Sequence, residues 1–507
     1  MTPRSDFLKL FDFKKIAIIF ACLFIAALFL VFALNAYPVP AGDSQFFLVP
    51  AVQFAHNGTL ISPLFPSEWE MDLLIDPSGM RRFLFYPPLF PLAVSFLMPV
   101  ASALGVFTAL AFLNIAVVAF SAFAFYKIAT LKTPLNWQKV FLITLGLFAL
   151  AASLAETGRP EALARLWVVL GALTLLYAPK KYDWVFCGVL LGLMFATHPP
   201  AGIFSALIIG IVFGARYAFR GVFIRGGATL VVACVVALSA IWLGPFGIRE
   251  TIEGTFANTV AIQRTVQLAA EQWLTISNII DHFVISQGTP FYGLVLILLF
   301  SVGIFFFRKY RSRFASPFAT LLCAAVLLSI FIKTLYSLGH VFYISLFAPL
   351  IFAIFIYYSL ESKTFGKFAV MITLLLVATG FVRTAVLFPF FLEQKATLGE
   401  VRVRFAELKQ KYINDSVLFG VTGGFWTLTE DYKKVYSYAA GGTPKEKTAL
   451  IFFQQRYSGK RTPPEIPGCR VIADKFARDL PKVFGLALAN TMPGYGYAIY
   501  DCTNIKI

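Results

Sequence analysis

From residue 16 to residue 392 the chain repeats one pattern, long apolar runs separated by short polar or basic segments. The runs approach the roughly 20 residues that an α-helix needs to cross a bilayer, so the pattern predicts an all-α polytopic membrane domain. The first run, Ile16 to Leu34, follows Lys9, Lys14 and Lys15. Its 19 residues are long for a signal-peptide core and no A-x-A site closes it, so an uncleaved helix is expected with the N-terminus cytoplasmic. The charge-free stretch Phe83 to Tyr126 holds 44 residues, enough for one crossing or two. A single crossing puts the later basic loops, from Lys127/Lys132/Lys139 to Lys363/Lys367, on the cytoplasmic side, as the positive-inside rule asks. Tyr86 to about Pro99, with Pro87, Pro88, Pro91 and Pro99, then reads as an interfacial or re-entrant segment.

About 11 transmembrane helices result, near 16–34, 104–126, 140–155, 162–178, 184–197, 199–215, 226–244, 290–307, 317–336, 341–358 and 367–388. A long first outer loop covers 35–103, and a second outer segment, 245–289, has the pattern of interfacial amphipathic helices. Residues 1–388 form the membrane domain, and residues 389–507 are expected as a small C-terminal α/β domain outside the membrane. In that tail, residues 401–409 read as an amphipathic helix, and the segments starting at Ser416, Thr448 and Tyr497 read as strands between Gly- and Pro-rich turns.

Composition supports this picture. Apolar residues make up 59% of the 507 and charged residues 14%, against about 25% charged in soluble domains. A soluble enzyme, a disordered chain and a disulfide scaffold are excluded. The net charge of +17 does not mark nucleic-acid binding, because eighteen Lys and Arg against four acids lie in the short segments between spans. Of the six cysteines, Cys22, Cys187, Cys234 and Cys323 fall in spans as small apolar filler. Cys469 and Cys502 are the two in the outer domain and should pair in an oxidising compartment.

Ionisable residues are expensive at membrane depth, and here they gather at the outer ends of the expected helices. Gly42-Asp43-Ser44 follows the first span; Asp43 suits a helix N-cap or a general base at the membrane surface. Glu68, Glu70, Asp72, Asp76, Arg81 and Arg82 precede Tyr86-Pro87-Pro88-Leu89. Glu156, Arg159, Pro160 and Glu161 link two spans, either as a helix start or as a binding turn, and Arg165 follows. Thr197-His198-Pro199-Pro200 forms another outer turn, where a structural histidine is the plain reading. Lys333, His340 and Tyr343 flank the ninth and tenth spans; Lys333 is placed to snorkel. On this topology all five clusters face one outer cavity.

In this order and layout the chain resembles the glycosyltransferase C superfamily and is similar to its protein O-mannosyltransferases and lipid A aminoarabinose transferases. The resemblance rests on Asp43, Tyr86-Pro87-Pro88-Leu89, Arg159-Pro160-Glu161, His198-Pro199 and His340-x-x-Tyr343 with Pro349. Many members carry a second acid at the position of Ser44, Asp at that of Glu161, and Lys at that of His198. The resemblance implies transfer of a sugar from a polyprenyl-phosphate donor to a hydroxyl of a glycan, lipid or protein acceptor, with inversion. Asp43 would be the catalytic base, and Arg81, Arg82, Lys333, His340 and Tyr343 the donor-phosphate ligands. Arg159, Glu161, Glu68, Asp72 and His198 would bind substrate. A lipid phosphate is already a good leaving group, so one base suffices, unlike the two carboxyls of most glycoside hydrolases. No metal site is assigned; a divalent metal is the one cofactor left open. The expected location is the plasma (inner) membrane, with the bilayer as a partner and no nucleic acid. A lipid-linked polysaccharide polymerase or ligase ranks second, disfavoured because 245–289 carries only Arg249 and Arg264 as arginines. A transporter ranks third, for want of inverted repeats and charges at mid-membrane.

Overall fold

The computed structural model describes residues 12–38, 44–62, 64–66, 81–83, 86–154, 158–179, 181–217, 219–256, 346–361, 363–393, 397–411, 417–420, 435–437, 448–454, 468–475, 482–483, 486–487 and 495–501. The helices begin with α1 (Phe13–Leu34), α2 (Gln45–Asn57), α3 (Leu89–Leu97), α4 (Ala103–Ala129), α5 (Trp137–Ser153) and α6 (Glu161–Tyr177). They continue with α7 (Asp183–Thr197), α8 (Pro199–Arg216), α9 (Phe219–Trp242), α10 (Ala348–Glu361), α11 (Lys363–Leu376), α12 (Arg383–Glu393) and α13 (Leu398–Lys411). A π-helical segment, Val377–Val382, joins α11 to α12.

Four of these stretches are long and apolar enough to cross a membrane: Phe13–Leu34, Leu104–Ala129, Arg220–Trp242 and Gly366–Arg404. Shorter apolar helices occupy Trp137–Ala152, Asp183–Thr197, Pro199–Gly210 and Ala348–Leu360. Their surfaces suit lipid. Phe20, Leu23, Phe223 and Val231 are each more than 60% exposed, which in water would be a liability. The expected spans at 290–307 and 317–336 lie outside the described residues.

Local chemistry sets the helix starts. The Asp12 carboxylate accepts from Lys14 N at the head of α1, 3.3 Å away. Ser102 and Asn136 cap α4 and α5 in the same way, at 3.2 and 2.9 Å. Helix α3 has nine residues, about 13 Å of rise against a hydrocarbon core of about 30 Å. It rests against α2 and α4, so the proline-rich segment does not cross as a helix. Helix α1 packs on α4 and α5, α4 on α6, and α6 on α7. The α7–α9 pair is the most intimate, because Gly188 and Gly192 bring the backbones together. A Cβ on either would lie 2.7 Å from the Cβ of Val232 or Val236, the small-residue packing that membrane helices favour.

The two ends of the bundle differ. At the basic end, Lys127 lies over the Phe123 and Tyr177 rings and Lys132 over Tyr357. There Asp183, fully buried, accepts from the Tyr217 hydroxyl and pairs with Arg225 at 3.2 Å, while Arg225 covers the Tyr217 ring at 4.2 Å. The opposite end holds the candidate site.

The strands are β1 (Ile61–Ser62), β2 (Leu64–Pro66), β3 (Arg81–Arg82), β4 (Val417–Gly420), β5 (Val435–Ser437) and β6 (Thr448–Gln454), then β7 (Arg470–Lys475), β8 (Lys482–Val483), β9 (Leu486–Ala487) and β10 (Tyr497–Asp501). Six of them form one mixed sheet in the order β2-β5-β4-β6-β10-β7. The stretch from β2 to β6 is parallel, and β10 runs antiparallel to both neighbours. The expected tail strands are therefore present, but the edge strand β2 comes from the loop between α2 and α3. Helix α13 is the amphipathic helix expected from the tail, with Leu398 and Val401 buried and Glu400 paired with Lys475 of β7. The Tyr495 hydroxyl donates to Ala36 O at 3.0 Å, just past α1, and burial pushes its phenol well above the ordinary value, so it stays a donor. Cys469 is disulfide-bonded. In the β7–β10 register Arg470 lies opposite Asp501; the expected partner Cys502 lies outside the described residues.

Candidate functional site

The end of the bundle away from Lys127 and Lys132 gathers the described members of several clusters expected from sequence: Ser44, Tyr86, Arg159, Glu161 and His198. Pro160 caps α6, placing Glu161 in its first turn, where the helix dipole favours a carboxylate. Glu161 is 2% exposed. Its Oε2 lies 3.4 Å from Arg159 Nε, and its Oε1 lies 3.5 Å from His198 Nε2. One helical turn further along α6, Arg165 is 1% exposed. A carboxylate so buried requires such cations and donors nearby, since an unpaired charge there would be strongly destabilising.

His198 ends α7 and caps α8. Its Nδ1 accepts from Ala201 N at 3.1 Å, so the proton of the neutral ring sits on Nε2 and points at Glu161. The plain structural reading of His198 is thus realised, and the same hydrogen bond fixes the tautomer that faces the carboxylate. At 3.5 Å the Nε2–Oε1 contact is longer than a formed hydrogen bond, and among the described residues Glu161 Oε1 has no hydrogen-bond partner. The neighbouring Thr197 hydroxyl takes the Trp167 indole N–H at 3.0 Å and donates to Leu193 O.

The proline-rich segment closes on the same place. The Tyr86 ring lies 5.7 Å from the His198 ring and 5.4 Å from Phe47 of α2. Pro87 and Pro88 are buried, and Pro88 touches Gly244 beyond α9. Helix α2 starts at Ser44, fully buried. Gly158, with φ +100°, passes so close that a Cβ there would lie 2.8 Å from both Ser44 Cβ and Oγ. The chain immediately after Asp43 therefore rests against the Arg159-Pro160-Glu161 turn.

Of the remaining site residues, Arg81 and Arg82 lie on β3, opposite Ser62 and Ile61 of β1. Next to them Phe83 is buried, its ring 6.1 Å from Phe47. Asp43, Glu68, Asp72, Lys333, His340 and Tyr343 lie outside the described residues. Among the described residues no group of three His, Cys, Asp or Glu could hold a metal ion. Sequence reasoning gave Arg165 no role, although a lone arginine four residues after Glu161 shares its helix face. Gly158 was also passed over; only its left-handed φ and its contact with Ser44 reveal it.

No family model matches the chain, and no curated protein matches it in sequence. Several solved structures are similar, among them three at 11% identity. The apo oligosaccharyltransferase of Archaeoglobus fulgidus gives a TM-score of 0.47 over 84% of this chain, which spans 65% of that protein's length. The oligosaccharyltransferase AglB of the same organism, in complex with an inhibitory peptide and a dolichol-phosphate, also gives 0.47, over 88% of this chain and 70% of its own. ArnT from Cupriavidus metallidurans, bound to undecaprenyl phosphate, gives 0.38 over 96% and 98%.

Proposed function

We propose that the protein is an integral membrane glycosyltransferase that moves a sugar from a polyprenyl-phosphate donor to an acceptor hydroxyl at the outer membrane surface. One observation carries the reading. The close approach of Gly158 to Ser44 joins the segment after the first span to a buried Arg159–Glu161–His198 cluster more than 100 residues away in sequence. Asp43 precedes that contact by one residue and is the base. It takes the proton of the acceptor hydroxyl as the oxygen attacks the anomeric carbon. The bond from that carbon to the phosphate oxygen breaks, and its electron pair leaves with the polyprenyl phosphate. Attack from the face opposite the phosphate inverts the anomeric centre. Arg81 and Arg82, with Lys333, His340 and Tyr343, stabilise the charge that grows on the phosphate. Glu161, held between Arg159 and His198, shapes with Arg159 the wall of the sugar or acceptor site.

The test is to incubate purified full-length protein with a panel of polyprenyl-phosphate sugars and assay free polyprenyl phosphate. Wild type should release it from at least one donor. Asp43→Asn keeps the size and polarity of the side chain but cannot take a proton, so it should stay folded and lose roughly 10²–10⁴-fold in rate. Activity of Asp43→Asn within a few-fold of wild type would move the base elsewhere.

A further inference from the structure

The bundle encloses an apolar cavity of about 250 Å³, larger than the engineered cavity of about 150 Å³ that takes up benzene. Among the described residues its walls come from α4 and the turn after it, and from α6, α7, α8 and α10. It starts below the candidate site, at Trp167 and Phe347, and runs to Lys132 and Tyr357 at the basic end. Along α10, Ala348 just after Phe347 and Tyr358 bracket about 15 Å of helix rise, about half of a hydrocarbon core of roughly 30 Å. The cavity is therefore as deep as one leaflet.

Its chemistry narrows the occupant. A buried water needs two to four polar partners, and between the two ends Ser205 supplies a single hydroxyl among the described lining residues. Hydrocarbon suits the lining, and the surrounding bilayer supplies it. The ends tell which lipid. At the site end Trp167 is tied to Thr197, whereas the basic end carries the exposed Lys132, its ammonium 5.9 Å above the Tyr357 ring, with Lys127 over Tyr177 nearby. A donor lipid must hold its phosphate at the site end, the wrong end for these cations.

We propose that the cavity holds one acyl chain of an anionic glycerophospholipid from the leaflet at the basic end, its phosphate held by Lys132. The ligand is a structural lipid, distinct from the sugar donor.

Native mass spectrometry of the full-length protein in mild detergent, titrated separately with phosphatidylglycerol, phosphatidylcholine and undecaprenyl phosphate, tests this. Wild type should retain one phosphatidylglycerol in preference to phosphatidylcholine. Gly171 lines the cavity and a Cβ there meets nothing within 4 Å, so Gly171→Leu is chosen to extend a side chain into the space. It should abolish retention while leaving the melting temperature intact and undecaprenyl phosphate binding unchanged. Lys132→Gln should weaken phosphatidylglycerol binding about fivefold, as expected for one basic side chain at a lipid surface, and erase the preference over phosphatidylcholine. Three results would each overturn the proposal: undiminished phosphatidylglycerol in Gly171→Leu, equal binding of the two phospholipids to wild type, or loss of undecaprenyl phosphate in Gly171→Leu. If Gly171→Leu does not fold, Ala353→Leu fills the cavity from the facing wall of α10 and is read in the same way.

Discussion

Replacing Gly158 by Ala is the sharpest probe of the candidate site, because the added methyl group touches nothing expected to react. Two effects add. At φ +100° an L-residue is strained, by about 1–3 kcal/mol. The new Cβ also meets Ser44 Cβ and Oγ at 2.8 Å and Leu48 Cδ1 at 3.0 Å, and overpacking of this kind costs about 1–3 kcal/mol. Ser44 is fully buried and starts α2, so the clash is relieved by moving the segment that carries Asp43. A shift of about 1 Å at a reacting group can lower the rate about 10²-fold. Gly158→Ala should therefore lose about 2–6 kcal/mol of stability and about 10²-fold in kcat, with the donor KM much less affected. Steady-state release of polyprenyl phosphate and thermal unfolding in the same detergent measure both. Adding Ser44→Gly removes the closest contact but not the strain, so the double variant should recover the overpacking part of the stability and most of kcat. Wild-type kcat in Gly158→Ala, or no recovery in the double variant, would refute the geometric argument.

Three further outcomes are expected. Asp183→Ala leaves the Tyr217 hydroxyl and Arg225 without their buried acceptor, so it should lower stability by about 3 kcal/mol while the folded fraction keeps normal kcat. Mass spectrometry under non-reducing conditions should find Cys469 linked to Cys502, and Cys469→Ala should cost roughly 3–4 kcal/mol in the chain-entropy model; free thiols at both positions would contradict that pairing. In intact cells an impermeant thiol reagent should label Lys434→Cys and spare Lys309→Cys, and the reverse pattern would invert the topology.

The membrane helices were legible because a bilayer forces about 20 apolar residues per crossing, and the basic loops break the tie over the proline-rich segment. The expected starts near residues 104, 140, 162, 184 and 199 lie within a few residues of the observed helices α4 to α8. The clusters at Arg159–Glu161 and His198 were legible because charges at helix ends are scarce in such a chain. The contacts between them were not. Gly158 meets Ser44 across 114 residues of sequence, and nothing local to either residue announces the other. Leu64–Pro66 was missed as a strand because three residues carry too little periodicity to register; its pairing with β5 is decided by tertiary context.

That short strand ties the first loop to the last domain. Because β2 lies at the edge of a sheet whose other five strands come from the tail, the loop that leads into Arg81 and Arg82 can reach its final place only after residue 437 has been made and moved to the same side of the membrane. Assembly of the site is thus deferred to the end of synthesis, and a chain cut short before β5 would hold every helix of the bundle yet leave that loop without a sheet to join. The coupling also runs the other way. Any ligand that orders this loop raises the stability of the tail by the same free energy, so protease resistance of residues 389–507 offers a remote readout of binding at the membrane surface.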